Sequence, residues 1–391
     1  MIRLRWVCLL IGFALMLFAI SPVLAHANLL RSSPAANASL QSTPDEIRLW
    51  FTEPVEPNYS GFTLLDKSGN PVTTPKSQTE SADATQVFIK FDSLPNGLYT
   101  VTWRAVSAAD GHATQGSFAF GIGVPVANNP ASTIDESVAP DSVVIRWLDL
   151  ISLSLAVGSI GFWLFVGQVL GLKDHAPVRR RWFQLAWFGW MLVGISALLL
   201  LLLQVAINAN TTLFRALTDP ALAGVLTSTT YGHLWLARIV LWGLLGIGLW
   251  ASSRDTRALW IALALGIAIL VTQSLFSHAS ASPDQAAAVA NDWLHLVGTT
   301  LWVGGLAAFA VVLLALRGES RQTILVDRLV ASFSNYARAA VALLIVTGLY
   351  AAWLEVGSVE ALLHTVYGQA LLIKMLLLLP LLALADRKSV V

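Results

Sequence analysis

The sequence predicts an exported all-β domain followed by an all-α polytopic membrane bundle of seven spans. Of the 391 residues, 56% are hydrophobic and only 12% are charged, against roughly 25% charged in an average soluble domain. The mean hydropathy is +0.67, and uninterrupted apolar stretches such as 187–206 can cross a hydrocarbon core about 30 Å thick. Short alternating segments are confined to the first third of the chain. A soluble enzyme is therefore excluded, and we expect a protein that is not an enzyme.

Residues 1–25 have the pattern of a secretory signal peptide. Arg3 and Arg5 form its basic region, residues 6–20 its apolar region, and residues 23–25 (VLA) a small-residue cleavage site. Cleavage would make His26 the amino terminus of the mature protein. The alternative is an uncleaved anchor helix. Cys8 is the only cysteine, so a processed chain would contain neither disulfides nor thiolate metal sites.

Residues 26–123 predict a small antiparallel β-domain. Runs such as 47–51 (IRLWF), 86–91 (QVFIKF) and 99–104 (YTVTWR) alternate apolar and polar residues, and turn segments separate them. About 98 residues in several short strands suit a sandwich or barrel with one core, of the Ig-like or cupredoxin-like kind.

The rest of the chain is a linker and a membrane bundle. Residues 124–142 are rich in Pro, Asn and Ser and predict the linker, and the bundle occupies 143–391. Its seven apolar segments are 143–170, 183–207, 231–251, 257–277, 289–316, 331–354 and 366–385.

Basic residues predict the direction of these spans, since cytoplasmic loops carry an excess of Lys and Arg. If the signal exports the β-domain, the first span runs inward. The inner segments then hold Lys173, Arg179, Arg180, Arg181, Arg254, Arg257, Arg317, Arg321, Arg328, Arg338, Arg387 and Lys388. The outer loops 208–230, 278–288 and 355–365 hold only Arg215. We therefore expect a multi-pass protein of the cell (inner or plasma) membrane with an extracytoplasmic β-domain and a cytoplasmic C-terminus.

An internal repeat relates the two parts of the bundle. The first segment matches the fifth at one constant offset, with residues 147–151 (WLDLI) against 293–297 (WLHLV) and Gly158 against Gly304. The third matches the seventh, with Tyr231-Gly232 and Arg238 against Tyr367-Gly368 and Lys374. A parallel duplication would produce this pattern.

Buried cations in these segments need partners. Arg238 and Lys374 each lie seven residues after a tyrosine, and Asp149, Asp292 and Glu355 are the nearby carboxylates. Interhelical ion pairs are therefore expected.

Histidine placement points to metal chemistry on the outer side. On the predicted topology every histidine except His175 lies in the β-domain or at an outer helix end; the others are His26, His112, His233, His278, His295 and His364. An amino-terminal His26 would offer an amine and an imidazole together. Asp110 and His112 would share a face if their segment is extended, and Gly111 between them allows close approach. Nitrogen with oxygen ligands suits tetragonal Cu(II).

The chain resembles the fused CopC–CopD copper-resistance and copper-transport family, of the YcnJ type. The β-domain resembles CopC in His26-Ala27, 33–35 (SPA), 51–55 (FTEPV), 103–112 (WRAVSAADGH) and 116–120 (GSFAF). The bundle resembles CopD in 277–279 (SHA), 293–295 (WLH), 301–306 (LWVGGL), Tyr367-Gly368 and Lys374.

The resemblance implies a Cu(II) site made by His26, Asp110 and His112. Glu53 falls where some relatives have a further carboxylate. Some relatives add a Met-rich Cu(I) site, but the methionines here are Met1, Met16, Met191 and Met375, so the mature β-domain contains none. In the bundle, His278 and His295, with Asp292 three residues before His295, would form a second site.

These features predict a copper-handling protein whose outer domain binds Cu(II) and passes it to the bundle for import, homeostasis and resistance. The expected partners are copper and the lipid bilayer. Nucleic acid is not expected at a net charge of +1, and no GxxxxGK[ST] motif indicates a nucleotide. Two alternatives remain: a membrane haem or redox protein using His278 and His295, and a copper sensor or sequestration module without transport.

Overall fold

The structure, a computed structural model, describes residues 27–376. The gaps within that range are 81, 92, 110, 127–131, 136–139, 278, 280–283, 318–321, 357–358, 365–368, 370–371 and 374–375. The predicted signal peptide, the site residues His26, Asp110 and His278, Lys374, and most of the predicted seventh span lie outside the described residues.

Two sheets form the β-domain. One has the strand order β1-β3-β6-β5 and the other β2-β8-β7-β4. The strands are β1 (Leu29–Ser33), β2 (Ser39–Leu40), β3 (Glu46–Phe51), β4 (Gly61–Leu65), β5 (Gln78–Glu80), β6 (Asp83–Lys90), β7 (Gly97–Val106), β8 (Ala113–Ile122) and β9 (Ser132–Asp135). The predicted sandwich or barrel is therefore a two-sheet sandwich.

Alternation in the strands builds the core between the sheets. In β3, Ile47, Leu49 and Phe51 are buried and the residues between them are partly exposed. From the facing sheet, Trp103 packs edge-on against Phe51 with 5.5 Å between ring centroids. Period-two alternation places every second side chain on the inner face, so the sequence pattern and the layer agree.

Part of the predicted linker joins the sandwich. Strand β9 pairs antiparallel with the start of β8, from Thr114 opposite Asp135 to Ser117 opposite Ser132. The first helix then begins at Pro140. The connection between the domains is shorter than the predicted 124–142, because residues 132–135 take up an otherwise unpaired edge of β8.

Six helices among the described residues are long and apolar enough to cross a membrane. They are Asp141–Gly167, Ala176–Ala209, Thr230–Ala251, Ala258–Leu275, Gln285–Ala315 and Thr323–Trp353. Each corresponds to one of the first six predicted segments, and the multi-pass membrane architecture is confirmed. The helices are α1 (Pro140–Leu153), α2 (Ala176–Ala209), α3 (Leu213–Ala216), α4 (Ala221–Ser228), α5 (Thr230–Ala251), α6 (Ala258–Leu275), α7 (Gln285–Ala315), α8 (Gln322–Val356) and α9 (Val359–His364).

The first span changes its helical pitch where it crosses the fifth. After α1 it continues through a π-helical turn at Ser154–Gly158, an α-helical turn at Ser159–Phe162 and a second π-helical turn at Trp163–Gly167. Gly158 and Gly304 of α7 meet there: a Cβ on Gly304 would lie 2.8 Å from the Gly158 Cα and would collide with the Ser154 carbonyl oxygen. These two glycines are equivalent in the predicted repeat, so the repeated segments cross at matching positions.

We predict that Gly304→Ala destabilises the bundle by about 1–3 kcal/mol, because the methyl group would push apart two tightly packed backbones. Gly243 of α5 is the matched control, since a Cβ there meets nothing within 4 Å. Gly243→Ala should leave stability unchanged or slightly higher, through the better helix propensity of alanine. Thermal unfolding of both variants in one detergent measures the difference, and equal midpoints would contradict the prediction.

Candidate functional site

The loop between β7 and β8 carries His112 in a tight turn. The Gly111 amide donates to the Ser107 carbonyl at 3.0 Å, and the Ser107 amide donates to the His112 carbonyl at 2.8 Å. Gly111 has φ +73°, a left-handed conformation that glycine adopts without strain. Gly111 is therefore not extended, because the loop's own hydrogen bonds fold the chain back, and strand alternation does not orient His112.

Glu53 lies under this loop. Its side chain is only 6% exposed, and its Oε2 accepts a 2.7 Å hydrogen bond from the Ser107 hydroxyl. The next residue, Pro54, accepts from the Ala108 amide at 2.9 Å. Glu53 therefore contacts the segment that carries the predicted ligands.

The first described residues lie beside the same loop. Ala27 is fully buried, and its carbonyl accepts a 2.6 Å hydrogen bond from the hydroxyl of Thr114, two residues after His112. The Asn28 amide donates to the Thr52 hydroxyl at 2.9 Å. Three segments thus converge: the one that follows His26, the one that holds Glu53, and the one that holds His112.

The loop docks on one end of the helical bundle. Gln204 of α2 donates its side-chain amide to the Gly111 carbonyl at 3.1 Å, and a Cβ on Gly111 would lie 2.6 Å from the Gln204 Cδ. Elsewhere at the interface, the Thr230 amide donates to Glu56 Oε1 at 3.3 Å. Arg104 donates to the Ile207 carbonyl. Glycine at 111 therefore permits both the loop conformation and its contact with the bundle.

His112 is bound by an arginine of the first span. Arg146 Nη2 and His112 Nε2 are 2.8 Å apart. Because guanidinium nitrogens only donate, Nε2 must be the acceptor, and a neutral imidazole then carries its proton on Nδ1. Arg146 also lines a cavity of about 20 Å³ with Leu200, Leu203, Gln204, Tyr231, Gln273 and Phe276.

Below this cavity lies a fully buried ion pair. Arg238 Nη2 donates to both carboxylate oxygens of Asp149, at 2.6 and 2.8 Å. Arg238 Nη1 donates to Gln273 Oε1 at 2.7 Å, and the Ser196 hydroxyl donates to Asp149 Oδ1 at 2.8 Å. The expected interhelical ion pair is therefore present, with Asp149 as the partner of Arg238.

In the second half of the bundle, His295 occupies the position equivalent to Asp149. Its Nδ1 lies 2.9 Å from the Thr347 hydroxyl oxygen. That hydroxyl donates to the Leu343 carbonyl at 2.8 Å, so it accepts from Nδ1–H, and Nε2 of a neutral ring keeps its lone pair. This tautomer is suited to metal binding through Nε2. His295 lies ten residues into α7, about 15 Å from its start, because the helix begins at Gln285, before the predicted 289.

Asp292 contacts Ser277, the residue that precedes His278 in the chain. The Ser277 hydroxyl lies 3.1 Å from Asp292 Oδ2, so the residue before His278 contacts the residue one turn before His295. Among the described residues, no three His, Cys, Asp or Glu side chains are grouped to hold a metal ion. Of the predicted ligands, the described part of the chain includes Glu53, His112, Asp292 and His295. Sequence reasoning missed Arg146, although a cation inside an apolar segment was the available signal.

Comparison with known protein families assigns most of the chain to three models. The CopC domain matches residues 29–123, the copper resistance protein D-like N-terminal domain matches 139–288, and copper resistance protein D matches 327–389.

Two relatives and one solved structure are similar to all or part of this chain. The copper transport protein CutJ of Bacillus subtilis is 29% identical over 379 residues, covering 95% of this chain and 69% of the relative. Protein YobA of Escherichia coli strain K12 is 38% identical over 101 residues, covering 26% of this chain and 81% of the relative. The crystal structure of CopC from Methylosinus trichosporium OB3b shares 28% identity with a TM-score of 0.24, covering 27% of this chain and all of that one.

We predict that Glu56→Gln stabilises the protein at pH 8 and that the gain shrinks as the pH falls toward 4. Burial raises the pKa of the Glu56 carboxyl above its ordinary value of 4.5, and the hydrogen bond from Thr230 offsets only part of this. The folded state therefore binds this proton more tightly than the unfolded state, so stability is lost as the pH rises through the folded pKa. Glutamine removes the charge and keeps the acceptor for Thr230.

Glu46→Gln is the control of opposite sign. The hydrogen bond from Arg48 lowers the pKa of the Glu46 carboxyl, so its contribution is present at pH 8 and lost in acid. Thermal unfolding in detergent between pH 4 and 8 measures both variants. If the stability change of both variants followed the same pH trend, the opposite directions of the Glu56 and Glu46 pKa shifts would be contradicted.

Proposed function

Since this chain belongs to the fused CopC–CopD copper-resistance family, we propose that its β-domain captures Cu(II) outside the membrane and delivers it to the bundle for import. Copper homeostasis and resistance would follow from that transfer. The observation that carries the proposal is the docking of the His112 loop on one end of the membrane helices. This contact supports a direct transfer of copper from the β-domain to the bundle.

The capture site consists of His26, Asp110 and His112. The Ala27 carbonyl is hydrogen-bonded to Thr114, so the residue that follows His26 lies beside the His112 loop. Its amine and imidazole would chelate one copper ion together with the Asp110 carboxylate and the His112 imidazole. Such a nitrogen-rich set with oxygen suits tetragonal Cu(II).

Glu53 stabilises the conformation of the loop that carries His112. Its buried carboxylate accepts from Ser107, the residue whose backbone closes the turn onto His112. Its role as a further ligand stays a prediction. A buried carboxylate beside a cation site also favours the metal electrostatically, since its field is poorly screened.

The acceptor site in the bundle consists of His278 and His295, with Asp292 nearby. Thr347 holds His295 in the tautomer that leaves Nε2 as the electron-pair donor, as hydrogen-bonded partners do for metal-ligating histidines. Asp292 supplies a carboxylate one helical turn away, in contact with the residue before His278. Copper could then pass between histidine sites by ligand exchange.

Import is supported by the basic residues of the predicted inner segments, which orient the β-domain outward, and by the similarity to the copper transport protein CutJ of Bacillus subtilis. The captured ion would be Cu(II), because the mature β-domain has no methionine to favour Cu(I).

We predict that Cu(II) affinity depends on a free His26 amino terminus. One extra residue ahead of His26 blocks the amine from chelating and should weaken binding by at least about tenfold, comparable to the loss of a metal-site contact. Copper titration of the full chain with both termini, followed by electron paramagnetic resonance, reports the affinity and the nitrogen ligands. Equal affinities and identical spectra would reject the amine as a ligand.

We predict that His295→Gln lowers copper accumulation by cells by roughly tenfold or more, while copper binding to the β-domain is unchanged. His364→Gln is the matched control, since His364 is an exposed histidine at the end of α9. Accumulation that persists in the His295 variant would favour a sensor or sequestration role. A Soret band in the purified wild-type protein would favour the haem alternative.

A further inference from the structure

The contact between His112 and Arg146 joins a predicted copper ligand of one domain to a cation of the other. The two nitrogens are 2.8 Å apart, and Arg146 belongs to the first membrane span. Arg146 also lines the cavity of about 20 Å³. Among the contacts described, this one directly opposes the use of His112 as a ligand.

A neutral imidazole has one lone pair, and Arg146 uses it. If copper binds Nε2, it must replace the arginine there. If copper binds Nδ1, the ring proton moves to Nε2. Nε2–H is then a donor that faces the Arg146 donor, and no hydrogen bond can form between them. Either way, copper coordination by His112 and the hydrogen bond from Arg146 exclude each other.

We propose that Arg146 is the residue that releases copper from the capture site when the β-domain docks on the bundle. This inference rests on the proposed function, since it requires His112 to be a copper ligand. When the domain is undocked, the hydrogen bond from Arg146 is absent and no longer competes with copper for His112. In the docked state Arg146 competes with copper for the His112 ring. The affinity of the capture site for copper therefore falls when the β-domain is in contact with the bundle that accepts the ion.

The docked state is maintained by contacts that do not involve His112. Gln204 binds the Gly111 carbonyl, Thr230 binds Glu56, and Arg104 binds the Ile207 carbonyl. These bonds hold the loop beside Arg146. The guanidinium group can then compete with copper for the His112 imidazole within the same molecule. By linkage, if docking lowers copper affinity by some factor, copper must weaken docking by the same factor.

The cavity beside Arg146 gives the displaced guanidinium group polar surroundings. Gln204, Tyr231 and Gln273 line it, and about 20 Å³ is enough for one water molecule. Arg146 Nε is buried without a hydrogen-bond partner among the described residues. It can therefore donate a hydrogen bond to a water molecule in this cavity. Release of His112 therefore does not strand the charge in hydrocarbon.

The test is a Cu(II) titration of the full chain in lipid nanodiscs, comparing wild type with Arg146→Met. We expect the variant to bind Cu(II) about tenfold or more tightly, the scale set by a hydrogen bond to a charged group. Arg215→Met is the charge control: Arg215 lies in α3, whose Leu213 packs against the cluster of Ile145, Leu200 and Leu203. The Cu(II) affinity of this variant should equal that of wild type within about twofold, because the Arg215 charge is exposed and screened by salt.

His112→Ala distinguishes a failure of the proposed capture site from a failure of the proposed competition by Arg146. If it weakens copper binding while Arg146→Met and wild type bind alike, the capture site stands and the competition is overturned. If it changes nothing in either background, the proposed capture site fails and the inference falls with it. If Arg215→Met tightens binding as much as Arg146→Met, bulk charge accounts for the effect and the inference is likewise overturned.

Amide hydrogen exchange of the wild-type chain tests the same linkage without any substitution, in case Arg146→Met does not fold. The Thr230 amide is bonded to Glu56 across the interface, so its exchange reports docking. Saturating Cu(II) should speed that exchange by about the factor by which docking weakens affinity. Unchanged exchange at Thr230 under copper saturation would overturn the proposal.

Discussion

One buried cation organises the first half of the bundle. Arg238 is completely buried in a helix that crosses the membrane, where an unpaired charge costs several kcal/mol. Its partners come from other helices: Asp149 from the first span, Gln273 from the fourth and, through Asp149, Ser196 from the second. Four helices therefore meet at one guanidinium group, and their rotations about their own axes are set together.

The domain interface depends on those rotations. Arg146 lies three residues before Asp149, so the two share one side of the first span, and Gln204 lies about two turns beyond Ser196 on the second. Holding Asp149 and Ser196 at the ion pair also directs Arg146 and Gln204 to the docked loop, where they bind His112 and the Gly111 carbonyl. A structural ion pair in the bundle thereby positions the residues that meet the capture domain.

The two halves of the bundle use one scaffold for different chemistry. Asp149 is bound by a hydroxyl of the second span, Ser196, and its repeat equivalent His295 is bound by a hydroxyl of the sixth, Thr347. The glycine pair Gly158 and Gly304 brings the two equivalent helices together. In the first half the carboxylate forms a salt bridge with Arg238, whereas in the second half the imidazole is bound through Nδ1 to a hydroxyl.

The amino-acid sequence by itself determined the order of the domains, the first six spans, the β-strand texture and the family resemblance, because hydropathy, alternation and short motifs are local properties. It named three carboxylates as candidate partners for buried cations such as Arg238, and it placed Asp110 and His112 on one face on the condition that their segment is extended. Only the tertiary structure decided that Asp149 is the partner, that Gly111 turns the loop back, and that Arg146 occupies the His112 lone pair. Each of these depends on which distant residues meet, and that is settled by helix rotation and domain docking, which leave no periodic signal in the chain.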